Sequence, residues 1–148
     1  MTWSIAASWD VNYLLCKNST DTLQNNYCFN SLFWSCTSLT RPPRLPATTL
    51  AAYCYQSMFS SCTNLEILPE LPATTLPNYC YQYMFATCSK IKLSETQTWE
   101  YQTEYRIPIT WTWSAWTNSL QNMFTSTWWT FTWTPTINTT YYTSNTVI

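Results

Sequence analysis

Hydrophobic positions recur along this chain with a period of 26 residues. The segments 53–65 (YCYQSMFSSCTNL) and 79–91 (YCYQYMFATCSKI) share one pattern, and 27–39 (YCFNSLFWSCTSL) is a third copy at the same interval. The linkers before the second and third copies match as well, since both contain LPATTL. A period of this length is typical of repeat proteins in which each unit packs against its neighbours.

Each repeat carries a pattern that predicts one short helix and one short strand. After Thr residues that suit a helix N-cap, apolar residues follow at nearly helical spacing, which predicts helices over 49–59 and 75–85. The alternating segments 65–68 and 91–93 predict strands, and Pro46 or Pro69 is expected to end the pairing and turn the chain. The predicted fold is therefore an α/β solenoid with 26-residue coils of strand, turn and short helix, whose strands align in a parallel ladder.

The repeats resemble the BspA-type leucine-rich repeats of bacterial surface proteins. The resemblance rests on the unit F-x-x-C-T-x-L-x-x-x-P-x-L-P-A-T-T-L-x-x-x-C-Y-x-x-M-F and covers residues 22–93. It implies a secreted or surface-displayed solenoid of gut and oral bacteria, or of some of their phages. Such proteins serve adhesion and recognition and have no known catalysis.

The length of 148 residues predicts a single repeat domain with four zones. Residues 1–21 are expected to form an atypical N-terminal cap, and residues 22–93 hold the three repeats. Residues 94–117 are a polar, irregular insertion. Residues 118–148 are expected to form a degenerate closing coil, in which 120–127 resembles 81–88 without its Cys, followed by a C-terminal cap of one or two strands.

The chain contains ten Trp and no Gly, although ordinary usage predicts about ten Gly. Trp34 stands where the other copies have Ser60 and Ala86, so the indole must leave the coil or distort it. The segments 110–119 and 126–135 have ordinary turn compositions if Gly replaces each Trp. We hypothesise that Trp stands where the source organism inserts Gly, through a different codon assignment or a deliberate replacement. A chain that is naturally rich in Trp is the alternative.

Charge and hydropathy restrict the partners of the chain. Six Lys or Arg against seven Asp or Glu give a net charge of −1 without a basic run, which argues against nucleic-acid binding. Polar residues interrupt every apolar stretch, so no transmembrane span is expected. The first twenty residues lack the pattern of a signal peptide. Because the resemblance implies export, we expect a secreted, cell-surface or virion location, with the export signal outside this chain.

The sequence offers little for catalysis. With neither His nor Gly, the usual Ser/His/Asp and Cys/His arrangements and phosphate-binding loops are absent. The close carboxylate pairs are Glu66 with Glu70 and Glu100 with Glu104, and a solvated surface is the preferred interpretation of both. We expect no enzymatic activity, no metal and no cofactor.

Six of the seven Cys form pairs that are eight residues apart: Cys28 and Cys36, Cys54 and Cys62, Cys80 and Cys88. A zinc site is disfavoured, because neither a C-x-x-C motif nor a His is present. Disulfides within a coil stay open for an exported protein. The resemblance to leucine-rich repeats instead implies small, buried inward positions, in two columns that run through the copies.

The expected binding surface is the exposed strand face of the repeats, with Thr40, Glu66 and Lys92 at equivalent positions. Its partner would be a protein or glycan on a host or neighbouring cell. Five tyrosines could form a second binding surface: Tyr53, Tyr55, Tyr79, Tyr81 and Tyr83. Of these, Tyr53 and Tyr79 are expected to pack between coils.

Two other functions stay open. A carbohydrate-binding or host-attachment component is favoured if Trp111, Trp113 and Trp116 are real, since residues two apart on a strand share one face and can stack on sugars. A structural spacer is the third candidate.

Overall fold

The computed structural model describes residues 5–6, 9–11, 22–112, 114–116, 118–127 and 134–148. Strands and turns form this part of the chain, which contains no α-helix and hence no helix that could cross a membrane. The strands are β1 (Ile5–Ala6), β2 (Leu39–Arg41), β3 (Ile67–Leu68), β4 (Thr75–Leu76), β5 (Thr103–Ile107), β6 (Ser114–Ala115), β7 (Thr139–Thr143) and β8 (Thr146–Val147).

These strands form four small sheets of two strands each within the described residues. Three pairs are parallel, namely β1 with β2, β3 with β8, and β4 with β6. The fourth, β5 with β7, is antiparallel and aligns Thr103 with Thr143 and Ile107 with Thr139. The C-terminal strands therefore join the repeats to the insertion, and the prediction of a strand or strand pair at the C-terminus is confirmed.

The helices predicted over 49–59 and 75–85 are wrong, because these segments contain successive turns and, at Thr75–Leu76, a strand. In the second copy Tyr53, Ser57 and Ser61 have φ of 60°, 53° and 64°. An α-helix requires negative φ at every residue, and a left-handed residue at every fourth position excludes it. The first and third copies repeat these values at Tyr27, Ser31, Ser35, Tyr79, Tyr83 and Thr87.

Backbone hydrogen bonds explain how this conformation is satisfied without a helix. The Gln56 N–H donates back to the Tyr53 carbonyl at 3.3 Å, which closes a turn within the copy. The neighbouring Tyr55 N–H points away from its own copy and donates to the Cys80 carbonyl of the next at 3.0 Å. This alternation continues along the copy, so the backbone divides its hydrogen bonds between its own turns and the adjacent repeat.

Side chains 26 residues apart stack directly on one another. The rings of Phe33, Phe59 and Phe85 lie at centroid distances of 5.6 and 5.7 Å, nearly parallel. The closing segment, residues 118–127, continues the column, since Phe124 lies 5.4 Å from Phe85. Stacking of this kind stabilises each contact by about 0.5–1.5 kcal/mol beyond the area that it buries.

A ladder of side-chain amides runs beside the aromatic column. Asn30 donates to Gln56 at 2.6 Å, Gln56 donates to Gln82 at 2.5 Å, and Gln82 donates to Gln121 at 2.8 Å. One amide comes from each copy and one from the closing segment. Because an amide can donate and accept at the same time, as Gln56 and Gln82 do, the ladder fixes the register between copies while keeping partly buried polar groups paired.

The parallel ladder predicted for the strands is interrupted. The Glu66 N–H donates to the Thr40 carbonyl at 3.1 Å and links the first two copies, but residues 91–93 form no strand. β8 pairs with β3 instead, and the Asn145 side chain accepts from the Lys92 N–H at 3.0 Å while it donates to the Glu66 carbonyl at 2.9 Å. The C-terminal segment thus lies between the second and third copies at this edge.

Candidate binding surface

The structure brings only part of the predicted strand face together. Thr40 is half-buried in β2 and adjoins Glu66, which is exposed, whereas Asn145 separates Glu66 from the half-buried Lys92. The carboxylate of Glu66 is paired with Lys90, and the Lys92 ammonium lies 3.9 Å from Glu100. Ion pairs this exposed contribute little to stability, but they reduce the charge that the face offers to a partner.

The tyrosines divide into a buried and a surface column. Tyr55 and Tyr81 are buried and stack at 5.9 Å, so they cannot contact a ligand. Tyr53 stacks between Tyr27 at 4.6 Å and Tyr79 at 5.1 Å, so Tyr53 and Tyr79 pack between copies as predicted. They lie in turns and not in the predicted helices. Tyr27 ends this column with 55% of its surface exposed.

The cysteines of the described residues are free thiols, and four are buried: Cys54, Cys62, Cys80 and Cys88. The thiol of Cys62 donates to the Phe33 carbonyl of the preceding copy at 3.0 Å, and Cys88 repeats this contact with Phe59. Burial raises the pKa of both Cys54 and Cys62 to about 12, which keeps these thiols protonated at neutral pH. No cluster that could hold a metal occurs among the described residues, and Cys16 lies outside them.

Every described Trp has an exposed side chain: Trp9, Trp34, Trp99, Trp111 and Trp116. The Trp34 side chain is 61% exposed. Of the two predicted outcomes, an indole that leaves the coil or one that distorts it, the structure shows the first. The predicted stacking platform is not formed as a strand face, because Trp111 lies outside β6 and Trp113 lies outside the described residues. None of the described Trp has the positive φ that favours Gly.

Two cavities adjoin at Glu70 and contain all three Arg of the chain. We call the surface formed by Arg41, Arg44, Glu70 and Arg106 the arginine groove. The larger cavity, about 460 Å³, is lined by Arg41, Arg44, Leu45, Pro46, Glu70, Pro72 and Ile148. The smaller, about 150 Å³, is lined by Glu70, Glu104, Tyr105, Arg106, Ile109 and Val147.

The repeats and the C-terminal strands build the groove together. Arg44 and Glu70 are 26 residues apart and hold equivalent positions in the linkers that follow the first and second copies. Arg41 ends β2, while Arg106 lies in β5, which pairing with β7 holds beside the repeats. The sequence prediction missed this site. Two features of the sequence could have indicated it: the motif RPPR, and the opposite charges at the equivalent positions 44 and 70. The repeat pattern itself does not require either feature.

The two ion pairs found between lysines and glutamates do not involve the arginines of the groove: Lys90 pairs with Glu66, and Lys92 lies 3.9 Å from Glu100. The Arg41 Nε and the Arg106 Nη2 are buried atoms without a hydrogen-bond partner. The Arg106 guanidinium carbon lies 5.0 Å from the ring centroid of Trp111, within the range of a cation–π contact.

Comparison with known proteins gives no relative for this chain. No protein family model, curated protein or solved structure matches it. The resemblance of its repeats to the BspA type therefore stays a prediction, and the geometry of the described residues carries the functional proposal.

Proposed function

We propose that this chain is a non-enzymatic recognition module, a short solenoid of BspA-like repeats that binds a protein or glycan on a host or neighbouring cell. One observation carries the proposal: equivalent repeat positions keep one residue type in the phenylalanine column and differ on the strand face. The three copies place Phe33, Phe59 and Phe85 in that column. On the strand face they place Thr40, Glu66 and Lys92 at one equivalent position.

The solenoid part of the proposal is supported by contacts between residues 26 positions apart. Rings, amides and backbone groups of each copy contact the copy that follows, and the closing segment extends the series. Each repeat thus buries its apolar face only with the help of its neighbours. A scaffold of this kind presents surface residues at fixed spacing and leaves their identity free, which suits a secreted, cell-surface or virion-bound binding protein.

A second candidate, a carbohydrate-binding or host-attachment component, is favoured by the arginine groove and by the exposed indole of Trp111 beside it. Aromatic faces and forked guanidinium groups are common contacts for sugars and carboxylates. A structural spacer is the third candidate and accounts for neither the groove nor the varied surface positions.

Binding to intact cells tests the proposal. The labelled chain is applied to bacterial and animal cells before and after treatment with a protease or with periodate, which destroys glycans. Saturable binding that the protease abolishes supports adhesion to a protein, and binding that periodate abolishes supports the carbohydrate candidate. Absence of saturable binding to every cell type contradicts recognition and leaves the spacer.

A matched pair of variants locates the contact on the strand face. Glu66→Arg reverses a charge on this face, and Glu95→Arg makes the same change at an exposed position of the polar insertion. If the strand face contacts the partner, Glu66→Arg lowers cell binding and Glu95→Arg leaves it unchanged. Equal binding by the two variants places the contact elsewhere on the module.

A further inference from the structure

We propose that the arginine groove binds a saccharide that carries a carboxylate. This inference rests on the proposed recognition function and names the ligand class and the residues of its site. The carboxylate would lie between Arg41 and Arg44 in the larger cavity, and the sugar would extend past Glu70 toward Arg106.

Guanidinium groups are concentrated in the groove. The chain has three Arg, and all three line the two cavities that meet at Glu70. A guanidinium offers a planar fork of N–H donors that fits a carboxylate through two parallel hydrogen bonds. The buried Arg41 Nε has no partner among the described residues, and a ligand oxygen would satisfy it.

The carboxylates in the groove restrict the sign and size of the ligand charge. Glu70 lies in the wall of both cavities and Glu104 in that of the smaller one, so the groove is not uniformly positive. A polyanion would be repelled by these carboxylates. A ligand with a single negative charge and several hydroxyl groups fits better, because the arginines take its carboxylate while the glutamates accept hydrogen bonds from its hydroxyls.

Part of the lining of both cavities is apolar. Pro46, Pro72 and Leu45 form part of the wall of the larger cavity, and the exposed Ile109 borders the smaller one. These surfaces suit the C–H faces of a sugar ring. The volume of about 460 Å³ falls in the range of small-molecule sites.

A pair of ligands that differ only in the carboxylate tests the inference. Methyl glucuronide and methyl glucoside are titrated into the intact chain by calorimetry or ligand-observed NMR, with glucose 6-phosphate as a probe for a doubly charged anion. We expect the glucuronide to bind at least about tenfold more tightly than the glucoside, since charge-assisted hydrogen bonds are lost in the neutral analogue. The phosphate ester should bind more weakly than the glucuronide.

Variants assign the effect to the groove. Arg44→Gln changes an exposed residue and should preserve the fold, and Arg41→Gln with Arg44→Gln removes both forks. Each should weaken glucuronide binding, the double variant by about tenfold or more. Lys90→Gln removes an equal charge away from the groove and should have no effect. Equal binding of the two methyl glycosides, or unchanged binding by Arg44→Gln, overturns the inference, as does failure of the wild-type chain to bind the glucuronide.

The outcome also separates the site from the general proposal. If the wild-type chain binds cells and the double variant binds them equally well, recognition stands and the groove is not its site. If the chain binds the glucuronide through the groove but no cell, the site stands and the proposed recognition of cells fails.

Discussion

The interior of the repeats and the arginine groove use the same 26-residue spacing in opposite ways. In the interior, the column of Phe33, Phe59 and Phe85 places one residue type in a continuous stack. In the groove, the equivalent positions 44 and 70 carry opposite charges, and both are exposed. Close packing demands a fixed side chain in the stack, since a change of volume leaves a cavity or a clash. Exposed positions impose no such demand.

Interrupting the aromatic column should have the largest effect on stability. Phe59→Ala should lower the free energy of unfolding by about 3–5 kcal/mol, because Phe59 is fully buried between two rings. Chemical denaturation measures the loss. Ser60→Ala, at the neighbouring half-buried position, should change stability by no more than about 0.5 kcal/mol. Similar effects for the two variants would mean that the column does not carry the fold.

Alkaline pH probes the interior through its thiols. The folded-state pKa of Cys54 and of Cys62 is raised to about 12 from an ordinary value of 9.0, so the unfolded chain loses these protons first. The buried thiols therefore make their full contribution to the stability of the folded chain below pH 9. This contribution is lost as the pH rises from 9 toward 12. Over the first unit above pH 9, each thiol should cost on the order of 1 kcal/mol of unfolding free energy.

Two cysteine variants check this prediction by denaturation at several pH values. Cys62→Ala should make the fall in stability between pH 9 and 11 less steep, whereas Cys36→Ala, at an exposed position, should leave it unchanged. A slope that Cys62→Ala does not alter would show that burial of this thiol is not linked to stability.

The smallest expected change in stability comes from a substitution at a left-handed turn position. Ser57 has φ of 53°, a conformation that Gly adopts without strain. Ser57→Gly should therefore raise the unfolding free energy by about 0.5–1 kcal/mol. Ser60→Gly is the control, since Ser60 does not have positive φ and should lose a similar amount. Destabilisation by both variants in denaturant titrations would contradict the left-handed assignment.

The incorrect helix prediction has a specific physical cause. The turn conformation repeats every four residues along a copy, as the left-handed residues show. Cys54, Met58 and Cys62 are therefore all buried, at a spacing close to the 3.6-residue period of an α-helix. Hydrophobic spacing cannot distinguish the two conformations. The distinction lies in the alternate N–H groups, which donate to the next copy and not to the preceding turn.

The predicted strand face is continuous only in part, for a different reason. Thr40 and Glu66 are neighbours, as the period requires. Asn145, from the C-terminal segment, lies between Glu66 and Lys92 and forms hydrogen bonds to the backbone of both. Periodicity describes contacts between neighbouring repeats and carries no information about a segment outside the repeat. The hypothesis that Trp stands for Gly stays a hypothesis, since the described indoles are accommodated by exposure and none has positive φ.

By itself the sequence determined the period and the side chains that stack at this spacing, because the copies repeat the same residue types at equivalent positions. The predicted cysteine columns are buried in the second and third copies only, since Cys28 is half-buried and Cys36 is exposed. Only the tertiary structure decided the backbone conformation and the arginine groove. The first depends on hydrogen bonds between copies, which no single copy can form. The second requires β5, far along the chain, to place Arg106 beside the linkers that carry Arg44 and Glu70.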